Sequence, residues 1–133
     1  MKHLKKGRKF GREKKQREAL MKILMGELFL RGKIKTTEAK AKELKAMAEK
    51  ACGKIKEFLA EGKKDKPEAL AVLRQMRAIF PKNVEPKLLF EIAQSLPRVK
   101  SGFVRIIKTG SRRSDSAKMA LIEIIKKEIV KKQ

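Results

Sequence analysis

The chain has 133 residues, 41% of them hydrophobic, and its 37 Lys and Arg against 15 Asp and Glu give a formal net charge of +22. That length fits one domain with a real core, roughly two-thirds of its unfolded surface being removed from water, while the charge disfavours a compact body without a polyanion beside it, phosphate being the likeliest source. The single cysteine, Cys52, leaves no intramolecular disulfide, and no apolar run spans a bilayer or follows the charged start as a secretory signal would, so the expected compartment is the cytoplasm.

Residues 1–17 hold nine Lys or Arg, one Glu and two Gly, with Leu4 and Phe10 the apolar side chains inside the run. Such a segment cannot offset its ordering entropy with a core, so residues 1–11 are expected to form an extended, mobile basic arm that orders on a polyanion. From Arg12 to Arg31 the residues Ala19, Leu20, Ile23, Leu24, Leu28 and Phe29 recur at spacings of three and four, with Met21, Met25 and Leu30 widening the stripe. This predicts an amphipathic core helix stopped by Gly32. Glu18, Lys22, Gly26 and Glu27 make its polar face too poor in Lys for a membrane-surface helix.

Lys33 to Thr37 is short, alternating and β-branched, a brief strand. A helix follows directly, with Thr36 or Thr37 as N-cap, Glu38 complementing the dipole, and Ala41, Leu44, Ala48, Ala51, Ile55 and Leu59 as the buried face until Gly62. Cys52 lies beside that face and reads as a small buried hydrophobe, since no His or acid cluster is at hand to activate it. Gly62 to Pro67 is a turn with Asp65 as cap. A third helix buries Leu70, Leu73, Met76, Ile79 and Phe80 before Pro81, and a fourth runs from Pro86 to Pro97 over Leu88, Leu89, Ile92 and Leu96. Phe103 to Thr109 and Lys118 to Ile125 read as two strands of a hairpin with a basic loop, Ala120, Ile122 and Ile124 sharing one side; residues 126–133 are a charged, frayed tail.

Two strands are marginal alone, so the strand at Ile34 should join them. The expected fold is α+β in two layers, in the order helix, strand, three helices, two strands, with a small three-stranded sheet and the helices on one of its faces. One domain spans 1–133: arm 1–11, globular part 12–125, tail 126–133.

No catalytic constellation is present, so no enzyme, cofactor or metal is expected. His3, the only histidine, sits in the arm without partners. Gly32-Lys33 followed by Thr36 and Thr37 lacks the earlier glycine of a phosphate-binding loop, position 27 being Glu, and Lys100 to Val104 offers Phe103 alone where an RNA-recognition strand stacks bases on two or three aromatics. The positive signals are for phosphate binding at three basic elements. These are the arm, the Lys35–Lys40 junction where a helix N-terminus meets lysines, and the Arg112–Arg113 loop with Asp115 able to orient an arginine. They raise a geometric question, whether all three share one face. A DNA-architectural protein is the alternative, but it calls for a symmetric dimer and wedge residues that the sequence does not display.

Three segments, Met1 to Arg12, Ile34 to Leu44 and Arg105 to Glu123, resemble in order the family of ribosomal protein seventeen of the bacterial large subunit; residues 46–97 match it only in helical pattern and length. The resemblance implies a structural, non-enzymatic protein of the translating ribosome, set in large-subunit ribosomal RNA beside neighbouring proteins near the polypeptide exit, without membrane or small-molecule substrate. The RNA-binding set expected is Lys2, His3, Lys5, Lys6, Arg8, Lys9, Arg12 and Lys15; Lys35, Thr36, Thr37 and Lys40; and Arg105, Lys108, Arg112 and Arg113. Two departures stand out. Ser101-Gly-Phe-Val-Arg105 replaces Gly-Gly-Tyr-Thr-Arg and loses a tyrosine hydroxyl, and Arg112-Arg-Ser-Asp115 replaces Arg-Arg-Gly-Asp, where Ser114 would disfavour a positive φ.

Overall fold

A computed structural model describes residues 3, 4, 6–59 and 67–126, the side chains of Phe58 and Leu59 excepted. The expected turn at Gly62–Lys66 with its Asp65 cap, the packing of Leu59, the tail from residue 127, and Lys2 and Lys5 lie outside the described residues. Helix α1 spans Lys14–Arg31 and ends at Gly32, whose left-handed φ of 80° turns its N–H onto Leu28 O at 2.8 Å. Strand β1 follows at Lys33–Thr37, then α2 at Glu38–Leu59, α3 at Pro67–Ile79, α4 at Pro86–Ser95, β2 at Val104–Ser111 and β3 at Lys118–Ile124. This is the α+β order expected from the sequence.

The sheet is antiparallel in the order β1-β3-β2, so the last strand lies in the middle. Its register aligns Ile34 with Ile122 and Ile122 with Ile106, while Lys33 aligns with Glu123 and Glu123 with Arg105. Since side chains alternate between faces, Ala120, Ile122, Ile124 and Val104 point one way and are buried in the core. The helices cover that face.

Helix α2 is the centre of the core. Ala41, Leu44, Ala48, Cys52 and Ile55 are fully buried along it and Ala51 nearly so. Burial pushes the Cys52 thiol up to about 12, with the Glu49 charge adding to the effect, so it packs as an apolar group at neutral pH. The other side of α2 grips the chain leading into β2. The Glu49 carboxylate accepts the Phe103 N–H at 3.1 Å and the Val104 N–H at 2.8 Å. Lys56 Nζ donates to Pro97 O and Val99 O, both at 2.7 Å, and lies 5.3 Å from the Phe103 ring centre. Phe103 is therefore a core ring, 2% exposed, and not a platform for a base.

Two helices present a face different from the one expected. In α1, Met21, Met25, Leu28 and Phe29 of the expected stripe are buried, but Ile23 is 59% exposed and Ala19 and Leu30 lie on the surface, so the buried face is rotated toward the methionines. The cause is Phe80 and Pro81 after α3. Phe80 meets Phe29 edge to face with ring centres 4.6 Å apart, and Pro81 rests on Gly26, which the sequence pattern placed on the polar face. In α3, Met76 is buried as expected, but Leu70 is half exposed and Ala69 and Val72 are buried in its place.

Gly26 sits in ordinary helical conformation, so its role is space. A Cβ there would run into the Pro81 ring, 2.8 Å from Cδ and nearer still to Cγ. Gly26→Ala should gain about 1 kcal/mol of helix propensity and lose more through overpacking, which typically costs about 1–3 kcal/mol. Urea denaturation checks this: the midpoint should fall, and a raised midpoint would show that Pro81 moves aside without cost.

Candidate nucleic-acid interface

The described part of the arm reverses direction where the sequence suggested an extended run. Phe10 and Gly11 both have positive φ, 54° and 61°, and the Arg12 N–H bonds back to Lys9 O at 3.1 Å. Two successive positive φ values closed by that bond are the signature of a type I′ turn. A left-handed phenylalanine is unfavourable by about 1–2 kcal/mol, and the ring offsets this by packing against the core. Arg12 Nη1 caps the turn on Phe10 O at 2.9 Å, and Arg8 Nη1 reaches Glu43 of α2 at 3.0 Å. Leu4, 95% exposed, and His3 stand in solvent. Lys6, Lys9 and Lys15 are exposed and have no carboxylate partner among the described residues.

At the strand-to-helix junction a carboxylate already stands among the lysines. The Glu38 side chain accepts from Lys42 at 3.0 Å and lies 3.8 Å from Lys108 Nζ. The Lys42 hydrogen bond, then the fields of Lys42, Lys108 and Lys118, hold its carboxyl below the ordinary range. Lys35 is exposed on the sheet face away from the helices, Thr37 shares that face, and Thr36 and Lys40 are half-buried.

The hairpin loop is folded by its own charges. Arg112 grips Asp115 with two bonds, Nε to Oδ1 at 2.9 Å and Nη2 to Oδ2 at 2.6 Å, while Ala117 N–H donates to the same Oδ1 at 3.2 Å. The turn closes through Ser116 N–H to Arg112 O and Arg112 N–H to Ala117 O, at 2.9 and 2.8 Å. Its positive φ falls on Ser116, 55°, so Ser114 is spared the strain that its place in the motif suggested. A bulge at Gly110, φ 92°, carries β2 on to Ser111. Arg113 points free of any carboxylate among the described residues, and Arg105 pairs with Glu123 across the strands.

Two of the three elements come together. Lys35 lines a shallow depression of about 400 Å³ with Arg112, Arg113 and the Thr109–Ser111 turn. The arm does not. It borders a separate groove of about 520 Å³ over α1, α2 and α3, with Arg8, Arg17 and Lys22 on its rim and Phe10, Met21, Met47 and Ile79 on its floor. Glu38 and Glu43, the contacts of hairpin and arm on α2, are five residues apart, about 140° around the helix. The basic elements thus flank the start of α2 from two sides. Arg17 and Lys22 on the groove and Lys33 and Lys118 in the sheet add cations beside those the sequence singled out, and Lys33, alternating with Lys35, shares its face.

A family model described as ribosomal protein L17 matches residues 20–125. The chain belongs to the ribosomal protein L17 family. It is 37% identical to the large ribosomal subunit protein bL17 of Pelobacter propionicus over 99% of this chain and 97% of that one. The bL17 proteins of Desulfotalea psychrophila, 38% identical over 94% and 90%, and of Thermotoga neapolitana, 34% over 94% and 95%, are similar in extent. The DNA-architectural reading finds no support in these matches. Family similarity runs through the helical middle as well as the three motif segments, and the first relative aligns across the arm that the family model leaves out.

Asp115 is held at about 2, chiefly by the Arg112 hydrogen bond and next by the Ala117 N–H. Because its folded value lies below the unfolded one of 3.8, the stability this carboxylate gives the loop is fully present above about pH 4 and is lost as pH falls through 2. Carboxyl NMR should find Asp115 ionised at pH 3. In Arg112→Ala it should titrate near the ordinary value, and an unmoved titration would rule out the arginine as the cause.

Proposed function

We propose that the protein serves as a structural, non-enzymatic constituent of the large ribosomal subunit in the cytoplasm by holding ribosomal RNA at its three basic elements. Membership of the L17 family carries the first half of that reading. The second rests on a surface in which exposed cations are held on ordered backbone: Lys6, Arg8, Lys9, Arg12 and Lys15 about the Phe10–Gly11 turn, Lys35 at the junction with the half-buried Lys40 beside it, Lys108, Arg112 and Arg113 on the hairpin. Lys2, His3 and Lys5 extend the arm; Thr36 and Thr37 add hydroxyls and Arg105 a guanidinium. Recognition is of phosphate and shape, because fixed cations position a backbone but do not read a base. The neighbours are other large-subunit proteins near the polypeptide exit.

Four of the cations are already paired in the free protein, Arg8 with Glu43, Arg105 with Glu123, Lys108 with Glu38 and Arg112 with Asp115. Exposed pairs of this kind are worth about 0–1 kcal/mol, little enough for a phosphate to displace the carboxylate. They aim the cations without holding them back.

Replacing Lys5, Lys6, Arg8 and Lys9 together by Gln should weaken binding to a large-subunit ribosomal RNA fragment. It should also flatten the salt dependence, each lost phosphate contact removing about 0.7–0.9 from the log–log slope. Filter binding over a salt series measures both, and an unchanged slope would remove the arm from the interface.

A further inference from the structure

The sheet has one face that no described element covers. Lys33, Lys35 and Thr37 of β1, Met119, Leu121 and Glu123 of β3, and Arg105 and Ile107 of β2 alternate outward, opposite the buried Ala120, Ile122 and Ile124. Ile107 is 44% exposed there, with Met119 and Leu121 partly exposed beside it. Met119 and Leu121 lie on the central strand and Ile107 beside Leu121 on β2, while the cations Lys33, Lys35 and Arg105 are all on the outer strands. Glu123 is the one carboxylate on this face among the described residues, and Arg105 engages it.

We infer that this face lies against the minor groove of double-stranded RNA, with Ile107, Leu121 and Met119 on the sugar edges and Lys33, Lys35 and Arg105 reaching the two flanking phosphate strands. This rests on the reading of the protein as an RNA binder and adds a surface to it. Charge complementarity selects a polyanion, since the face and the adjoining Arg112–Arg113 loop hold five cations, Lys33, Lys35, Arg105, Arg112 and Arg113, against Glu123 and Asp115. Duplex is selected over single strand because no aromatic side chain lies on any of the three strands. Single-stranded binders stack bases on aromatics, whereas aliphatic side chains have nothing comparable to offer a base face. Dimensions agree: the outer strands are two strand spacings apart, about 10 Å. From there long side chains can straddle a groove that in A-form RNA is wide and shallow. RNA is selected over DNA because only its minor groove displays 2′-hydroxyls, which the Thr37 hydroxyl is placed to meet.

The test is fluorescence anisotropy of the full chain with a 16-base-pair RNA duplex, the DNA duplex of the same sequence, and a 16-nucleotide single-stranded RNA. Ile107→Ser removes the apolar contact without touching charge, and Ile107→Thr keeps β-branching should the serine variant melt early. The RNA duplex should bind more tightly than either competitor, and both variants should lose about fivefold in its affinity with an unchanged salt slope. The loss should be absent for the DNA duplex. Variants that are folded by circular dichroism and bind the RNA duplex as well as the parent overturn the inference and leave this face to a protein neighbour. Preference for the single strand overturns it too. Failure of the parent to bind any RNA would instead remove the proposed function on which it rests.

Discussion

The half-buried Glu49 carboxylate organises this protein more than any other single group. It sits in the middle of α2 and takes the two N–H groups with which β2 begins. Charge-assisted bonds of this kind are worth about 1.5–3 kcal/mol each, and without them two backbone donors would be left at the edge of the core. Lys56, two turns along the same helix, holds the carbonyls of Pro97 and Val99 and lies over Phe103. Acid and base together set where the chain leaves α4 and enters the sheet. From that entry point β2 runs along β3, past the bulge at Gly110, to the Arg112 loop.

The remaining acids are few, and several stand where they are most useful. Glu38, Glu43, Asp115 and Glu123 each meet a cation of one of the basic elements. A chain of net charge +22 cannot neutralise itself with them. It can fix directions, because a guanidinium held by two bonds along one edge, as Arg112 is by Asp115, loses rotational freedom before any ligand arrives. Arg113, next to it, meets no carboxylate among the described residues. The loop therefore joins a positioned arginine to a free one.

Much of the fold was legible because its signals are local. Gly32 closes α1 and Lys33–Thr37 alternates in β-branched residues, so that strand was readable to the residue. The face of α1 was less so. Both Ile23 and the pair Met21 and Met25 fit a helical spacing, and the choice is made by Phe80 and Pro81, more than fifty residues away, which dock where Gly26 leaves room. Leu70 loses to Val72 for a like reason, α3 being turned by what it meets on α2 and not by its own pattern. Of the interface, the cations were legible by type. Their placement was not: the reversal at Phe10 depends on a ring finding the core, and the separation of arm from hairpin depends on which side of α2 Glu43 occupies.

The β1-β3-β2 order sets the sequence in which this fold can close. Strands β1 and β2 do not touch; each pairs only with β3, which ends at Ile124. While the chain is being synthesised, β1 has its complete sequence from Thr37 onward yet no strand to pair with until Lys118–Ile124 has been made. The helices can collect around α2 before then, but the sheet is necessarily the last layer to form. Until that moment the apolar side of β1 has only helices for shelter.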